Sequence, residues 1–168
     1  GNSTPLTDGA SCILLASEEW AKEQGLPILA YITFAEIAAI EYVKNQQNLL
    51  LAPLFAASRM LEKAELNLQD FDYYEIHEAF AAQTLATLKI WESPELSSEI
   101  GLKKILGAID RNKLNVKGSS LAAAHPFAAT GGRIIGVMAK LLNEKGSGRG
   151  LISICAAGGQ GVTMIIEK

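Results

Sequence analysis

The C-terminal end of the sequence constrains the fold most. Ile134, Val137, Met138, Leu141 and Leu142 recur at i, i+3, i+4, i+7 and i+8. The stripe closes at "EKGSGRG", and two apolar runs follow at once, "LISIC" and "VTMIIE", joined by the glycine-rich "AAGGQG". The first pattern is the apolar face of an amphipathic helix and the second is a pair of strands. Neither can leave its apolar side in water, so the helix has to lie on a sheet built around those strands.

The same alternation runs upstream. "ASCILLAS" (10–17) follows the turn-like "TDG" and reads as a short buried strand. Ser17 then serves as N-cap to "SEEWAKEQG", which has acids in its first turn and Gly25 as its stop. "LAYITFAEIAAI" (29–40) predicts a second strand, with Glu36 and the alanines blurring its end. Pro53 opens a helix whose Leu54, Ala57, Leu61 and Ala64 share a face. "YYEIHEA" predicts a third strand running into a helix over "FAAQTLATLKIW" that stops before Pro94, and 93–117 reads as irregular around a helix at "IGLKKILGAI". The order predicts a layered α/β domain, two or three layers deep, around a central mixed sheet whose strands are mostly parallel. At 168 residues, one domain buries enough surface to need no staples.

Charge and composition exclude several classes of partner. The net charge is −3 and the fifteen basic residues are scattered, which argues against nucleic acid and anionic membranes. No apolar run is long enough to span a bilayer, and "GNSTPLTDGAS" lacks the basic and hydrophobic regions of a signal peptide. The two cysteines, Cys12 and Cys155, form no disulfide framework, which favours a reducing compartment. No two of the His and Cys residues are spaced as a zinc-ligand pair, so no metal is expected.

Three strand exits carry groups able to do chemistry: His77 in "HEAF", His125 in "AAAHPFAATGG", and Cys155 before "AAGGQG". Loops leaving strand ends are held by a rigid sheet yet free to turn toward a ligand. A neutral imidazole takes a proton from a thiol near neutral pH, and a glycine-rich turn can aim peptide N–H groups at a developing oxyanion. Taken singly, each also has a structural reading: a hydrogen-bonded histidine, a small buried thiol, an ordinary hairpin.

Taken in order, "HEAFA" (77–81), "NVKGSSLAAAHPFAATGGR" (115–133) and "CAAGGQG" (155–161) resemble the three C-terminal motifs of thiolases, and "GNSTPLTDGAS" is similar to the segment leading into the C-terminal half of those enzymes. Histidine at 77, where asparagine is commoner, is most similar to the 3-ketoacyl-CoA-cleaving branch, the β subunits of fatty-acid-oxidation complexes. The resemblance implies thiolytic cleavage of a 3-ketoacyl-CoA by CoA, with coenzyme A as substrate and no cofactor. It makes His125 the activator of a nucleophilic cysteine and a group that helps hold the thioester oxygen, Cys155 the acid/base thiol and His77 an oxyanion-site residue. Ala157 and Gly158 become oxyanion or CoA contacts, Thr4 a neighbour of the pantetheine arm, and Phe80 a wall of the acyl pocket. Three positions depart from the pattern: Ala124, Ser119 and Ala157 stand where glycines are usual, and a positive φ would be costly at an alanine.

The family's nucleophile lies in an N-terminal half that neither Cys12 nor Cys155 matches. Residues 1–168 are therefore expected to be a thiolase C-terminal domain, with the nucleophile-bearing half and the loop domain absent. The expected partners are acyl-CoA or CoA, an N-terminal thiolase half, a further copy of the chain, and a hydratase/dehydrogenase α subunit. The location implied is a bacterial cytoplasm or a mitochondrion. Two other readings stand: a non-catalytic thiolase-fold assembly or acyl-CoA-binding domain, and a one-domain hydrolase with Cys155 as nucleophile and His125 as base.

Overall fold

The computed structural model describes residues 2–44 and 49–168. Its elements are α1 (Glu18–Glu23), β1 (Tyr31–Ala39), α2 (Ala52–Ala64), β2 (Tyr73–Ile76), α3 (Ala81–Glu92), α4 (Pro94–Glu99), a 3₁₀ turn (Arg111–Lys113), α5 (Ser120–Ala123), α6 (Thr130–Lys145), β3 (Arg149–Ala156) and β4 (Gln160–Glu167). The strands form one sheet in the order β1-β4-β3-β2. Only β2 and β3 run parallel; β1–β4 and β3–β4 are antiparallel. The sheet is mixed as expected, but it is not mostly parallel. The short "AGG" link turns β3 straight back into β4, and only antiparallel strands can be joined so tightly.

Helices cover both faces, which gives three layers. On one face Leu54, Met60 and Leu61 of α2 and Leu88 and Trp91 of α3 pack with Tyr74, Leu151 and Ile165. On the other, the α6 stripe places Ile134, Met138 and Leu142 on Ile152 and Ile166. Alternation along each strand thus sends odd-numbered β3 residues toward α2 and even-numbered ones toward α6. Glu36, the charge that blurred the second strand, continues β1 because Arg59 and Lys63 of α2 reach over to pair with it.

Two expectations fail. Residues 10–17 form no strand: Ser11 Oγ donates to the Ala129 carbonyl at 2.6 Å, and the chain lies along α6 where glycines leave room. A Cβ on Gly132 would come within 2.3 Å of Ser11 Oγ, and one on Gly136 within 3.3 Å of Ile13. Leu14 and Leu15 point to solvent. The run lies on the surface of α6 and is not enclosed. Residues 100–109 form no helix either. Gly101 and Gly107 adopt positive φ, and the Gln69 amide takes the Leu106 and Ala108 carbonyls that a helix would have used internally. Leu106 and Ile109 enter the core from an irregular chain. Ser17 caps α1 as expected, accepting from the Trp20 N–H.

Candidate active site

The site grows from the end of β2. His77 N–H donates to the Ser153 carbonyl, continuing the parallel ladder by one residue. The imidazole faces α6, with the buried Glu75 two residues before it. Asn115 imitates a neighbouring strand: its Oδ1 accepts from Ile76 N–H at 2.9 Å and its Nδ2 donates to Ile76 O at 3.0 Å. Glu78 then ties the two motifs together, accepting from Asn115 Nδ2 at 3.0 Å and from Leu121 N–H at 2.9 Å.

That clamp brings the 115–133 loop over β2, and the rings of His77 and His125 meet with centroids 4.4 Å apart. Phe127 also lies against His125, with ring centroids 4.9 Å apart. His125 Nδ1 is 2.6 Å from Thr130 Oγ1, whose hydroxyl also reaches the Pro126 carbonyl at 3.2 Å. With the threonine proton directed to that carbonyl, Oγ1 accepts from Nδ1–H and His125 Nε2 keeps its lone pair. His77 Nδ1 is 2.7 Å from Ser120 Oγ. Burial, with His125 and Arg133 adding to it, pushes the His77 imidazole down to about 4, and burial and Arg133 lower His125 as well. Both rings are neutral near pH 7.

The N-terminal segment docks beside them. Ser3 bridges to Phe80, Thr4 N–H donates to Ala79 O at 3.0 Å, Thr4 Oγ1 donates to Ser120 O at 2.6 Å, and His125 N–H donates to Pro5 O at 3.0 Å. Thr4 and Phe80 therefore lie next to both histidine loops, with Phe80 substantially exposed.

Cys155 reaches the same end of the sheet, since β2 and β3 are parallel, but it faces the other way. Its cross-strand partner is Gly161, where a Cβ would come within 2.3 Å of Pro53 N at the start of α2. The pair shares a sheet face, so the thiol lies on the α2 side of the strand end and the imidazoles on the α6 side. Burial pushes the thiol up to about 11. The sequence places all three groups on open loops; instead His77 and Cys155 are buried, and the exposed thiol of this chain is Cys12. Ala157 and Gly158 form the exposed tip of the β3–β4 hairpin. The positive φ values there fall on Gly158 and Gly159, leaving Ala157 unstrained.

Ala124 does carry strain. Its φ of 71° and ψ of −178° belong to a region that essentially only glycine occupies, at a cost on the order of 1–3 kcal/mol. It immediately precedes His125, and the strain persists because Pro5, Thr4 and Glu78 hold the loop on both sides. Ala124→Gly is expected to raise stability by about 1 kcal/mol or more, read as a higher denaturation midpoint; a lower midpoint would contradict this backbone conformation.

The sequence reading did not single out Glu75, Asn115, Glu78, Ser120, Thr130 or Arg133. Five of these lie inside or at the edge of the quoted motifs, so the signal was present, but their pairings exist only once β2 and the 115–133 loop meet. Among the described residues no three His, Cys, Asp or Glu side chains cluster as metal ligands, and no helix is long and apolar enough to cross a membrane. A cavity of about 620 Å³ lined by Ser58, Leu61, Gln69 and Leu106 opens at the far end of α2, away from the histidines.

A three-layer α/β domain with two imidazoles in contact at one sheet end, beside a strand-end thiol and a glycine hairpin, has a counterpart among known proteins. The family described as thiolase, C-terminal domain, matches residues 27–168, and the chain belongs to the thiolase family. It is 47% identical over 99% of its length to the 3-ketoacyl-CoA thiolase of Alteromonas mediterranea, of which it spans 38%. Among solved structures it resembles human mitochondrial 3-ketoacyl-CoA thiolase (TM-score 0.70, 31% identity, 91% of this chain and 34% of that one). It also resembles Acat5 thiolase from Ascaris suum, solved in complex with coenzyme A (TM-score 0.71, 28% identity, 91% of this chain and 34% of that one).

Proposed function

We propose that residues 1–168 act as the C-terminal domain of a 3-ketoacyl-CoA thiolase, supplying the acid/base and oxyanion groups for cleavage of a 3-ketoacyl-CoA by CoA. The observation that carries this reading is the contacting pair His77–His125, whose neutral rings, tilted at 53° to each other, sit beside the strand end bearing Cys155. The nucleophilic cysteine belongs to the part of the relatives' length that this chain does not span.

His125 Nε2 takes the proton of that cysteine, and the thiolate adds to C3 of the substrate. The C2–C3 bond breaks, leaving the acyl group as a thioester on the nucleophile and the electron pair on C2 of the departing acetyl-CoA. Cys155 S–H protonates C2. A thiol held at about 11 is protonated at neutral pH, which is the form this step needs first. The Cys155 thiolate then takes the proton of incoming CoA, whose sulfur attacks the thioester and releases the shortened acyl-CoA and the original thiolate. His77, with the Ala157 and Gly158 N–H groups, donates to the oxygens that gain charge. Thr4 lies by the pantetheine arm and Phe80 by the acyl chain. The substrate lies across the sheet end, with the imidazoles on one side and the thiol on the other.

The hydrolase reading, with Cys155 as nucleophile, is disfavoured because the thiol is kept protonated and faces away from His125. Exposed Leu6, Leu14, Ile37, Val43 and Phe127 support an assembly with the remaining half and with a further copy or an α subunit. The location proposed is a bacterial cytoplasm or a mitochondrion. The test is exchange: an enzyme assembled from this chain and the remaining segment of a relative should move deuterium from solvent into C2 of acetyl-CoA, and Cys155→Ala should abolish that exchange. Undiminished exchange would remove Cys155 from the mechanism.

A further inference from the structure

The polar atoms behind His77 dictate which ring nitrogen carries its proton. Arg133 Nη2 donates to Ser120 Oγ at 2.9 Å, and Ser120 Oγ lies 2.7 Å from His77 Nδ1. A guanidinium has donors only, so Ser120 Oγ must accept from Arg133. The serine is fully buried, and among the described residues its hydroxyl proton has one acceptor within reach, His77 Nδ1. The chain of bonds therefore has a single direction. Glu75, enclosed on the same face, adds an electrostatic attraction to the guanidinium.

We propose that Arg133 and Ser120 are positioning residues for His77, and that the relay Arg133 N–H to Ser120 O–H to His77 Nδ1 locks the imidazole in its Nε2–H tautomer, a fixed hydrogen-bond donor toward the oxygen of a bound thioester or ketone. This rests on the oxyanion role given to His77 above. The relay solves a problem created by the contact between the two rings. Two neutral imidazoles 4.4 Å apart have to perform opposite tasks, one donating and one accepting a proton, and an unconstrained ring would interconvert between tautomers. Thr130 fixes His125 with its Nε2 lone pair free, and Arg133 through Ser120 fixes His77 with its Nε2 protonated. A histidine so held offers the same N–H that an asparagine amide would offer at this position.

The chain has two histidines, so nitrogen-15 labelling of histidine in the 168-residue protein resolves both rings by two-bond ¹⁵N–¹H correlations. The expected spectrum at neutral pH shows His77 with an N–H-type Nε2 and a lone-pair-type Nδ1, and His125 with the reverse. Ser120→Asp offers only acceptor oxygens and should switch His77 to Nδ1–H. Ser120→Ala, a smaller change, should replace the single tautomer by a mixture, and Arg133→Met should do the same with Ser120 intact. Nδ1–H at His77 in the unsubstituted chain overturns the proposal, as does a ring whose tautomer is the same in Ser120→Ala and Arg133→Met as in the parent. The spectrum reads the ring and not turnover. The expected tautomers with an inactive assembled enzyme would count against the thiolase reading alone, whereas an active enzyme with Nδ1–H at His77 would count against the relay alone.

Discussion

Replacing His125 by alanine in an assembled enzyme is expected to lower thiolytic turnover by roughly two to four orders of magnitude, and Cys155→Ala by a comparable factor, but at different steps. In the proposed mechanism His125 is the base whose Nε2 lone pair the Thr130 bond preserves, so its loss would leave the nucleophile as a thiol and suppress the acyl-enzyme itself. In the same proposal Cys155 acts after the nucleophile has attacked. Its loss should leave attack possible while the acetyl-CoA carbanion and the incoming CoA lose their proton donor and acceptor. Alkylation of the nucleophilic cysteine by iodoacetamide, measured alongside steady-state turnover, separates the two: it should slow in His125→Ala and persist in Cys155→Ala. Equal slowing in both variants would contradict the division of labour, and near-normal turnover in Cys155→Ala would return that residue to a packing role.

The second large effect concerns acid stability. His77, ordinarily near 6.5, is held at about 4 by burial, by His125 and by Arg133, so between those values the unfolded chain binds a proton that the folded one refuses. Its contribution to stability is complete above about 6.5 and disappears as the pH falls toward 4. Glu75, ordinarily near 4.5, is raised by burial to about 7 against the pull of Arg133, with Glu78 adding to the rise. Its contribution has the opposite sign: complete below about 4.5 and lost as the pH climbs to 7. Each is worth on the order of 3 kcal/mol, and the two slopes oppose each other where the windows overlap. The parent chain should therefore show little pH dependence there. Glu75→Gln removes one slope. It is expected to be more stable than the parent at pH 8 by about 2–3 kcal/mol and to lose stability steeply below about 6.5, as measured by urea denaturation. A Glu75→Gln variant less stable than the parent at pH 8 would show that the carboxylate's attraction to Arg133 outweighs its burial.

The elements that set the architecture were legible because their patterns are local. The α6 stripe, the Pro53 helix and the last two strands each carry their periodicity in a dozen residues or fewer, and the three motifs named the family that the comparisons bear out. What was not legible depends on distant partners. Residues 10–17 look like a strand until Gly132 and Gly136 give them a helix to lie on, and 100–109 look like a helix until Gln69 claims two of their carbonyls. The site divides in the same way. His77, His125 and Cys155 stand out by residue type. The support from Glu78, Asn115, Ser120 and Arg133 is a set of contacts spanning up to 43 positions, and the face toward which Cys155 points is settled by its pairing with Gly161.

The central claim is that this chain holds the proton-transfer half of a thiolase site and needs a nucleophile from elsewhere. Thiolysis of acetoacetyl-CoA and of a longer 3-ketoacyl-CoA by CoA, followed as loss of the 3-ketoacyl-CoA absorbance, tests it on the purified 168-residue protein alone and after co-expression with the N-terminal segment of a thiolase relative. The account predicts no turnover by the chain alone and CoA-dependent turnover by the pair. Thiolysis by the chain alone would contradict it.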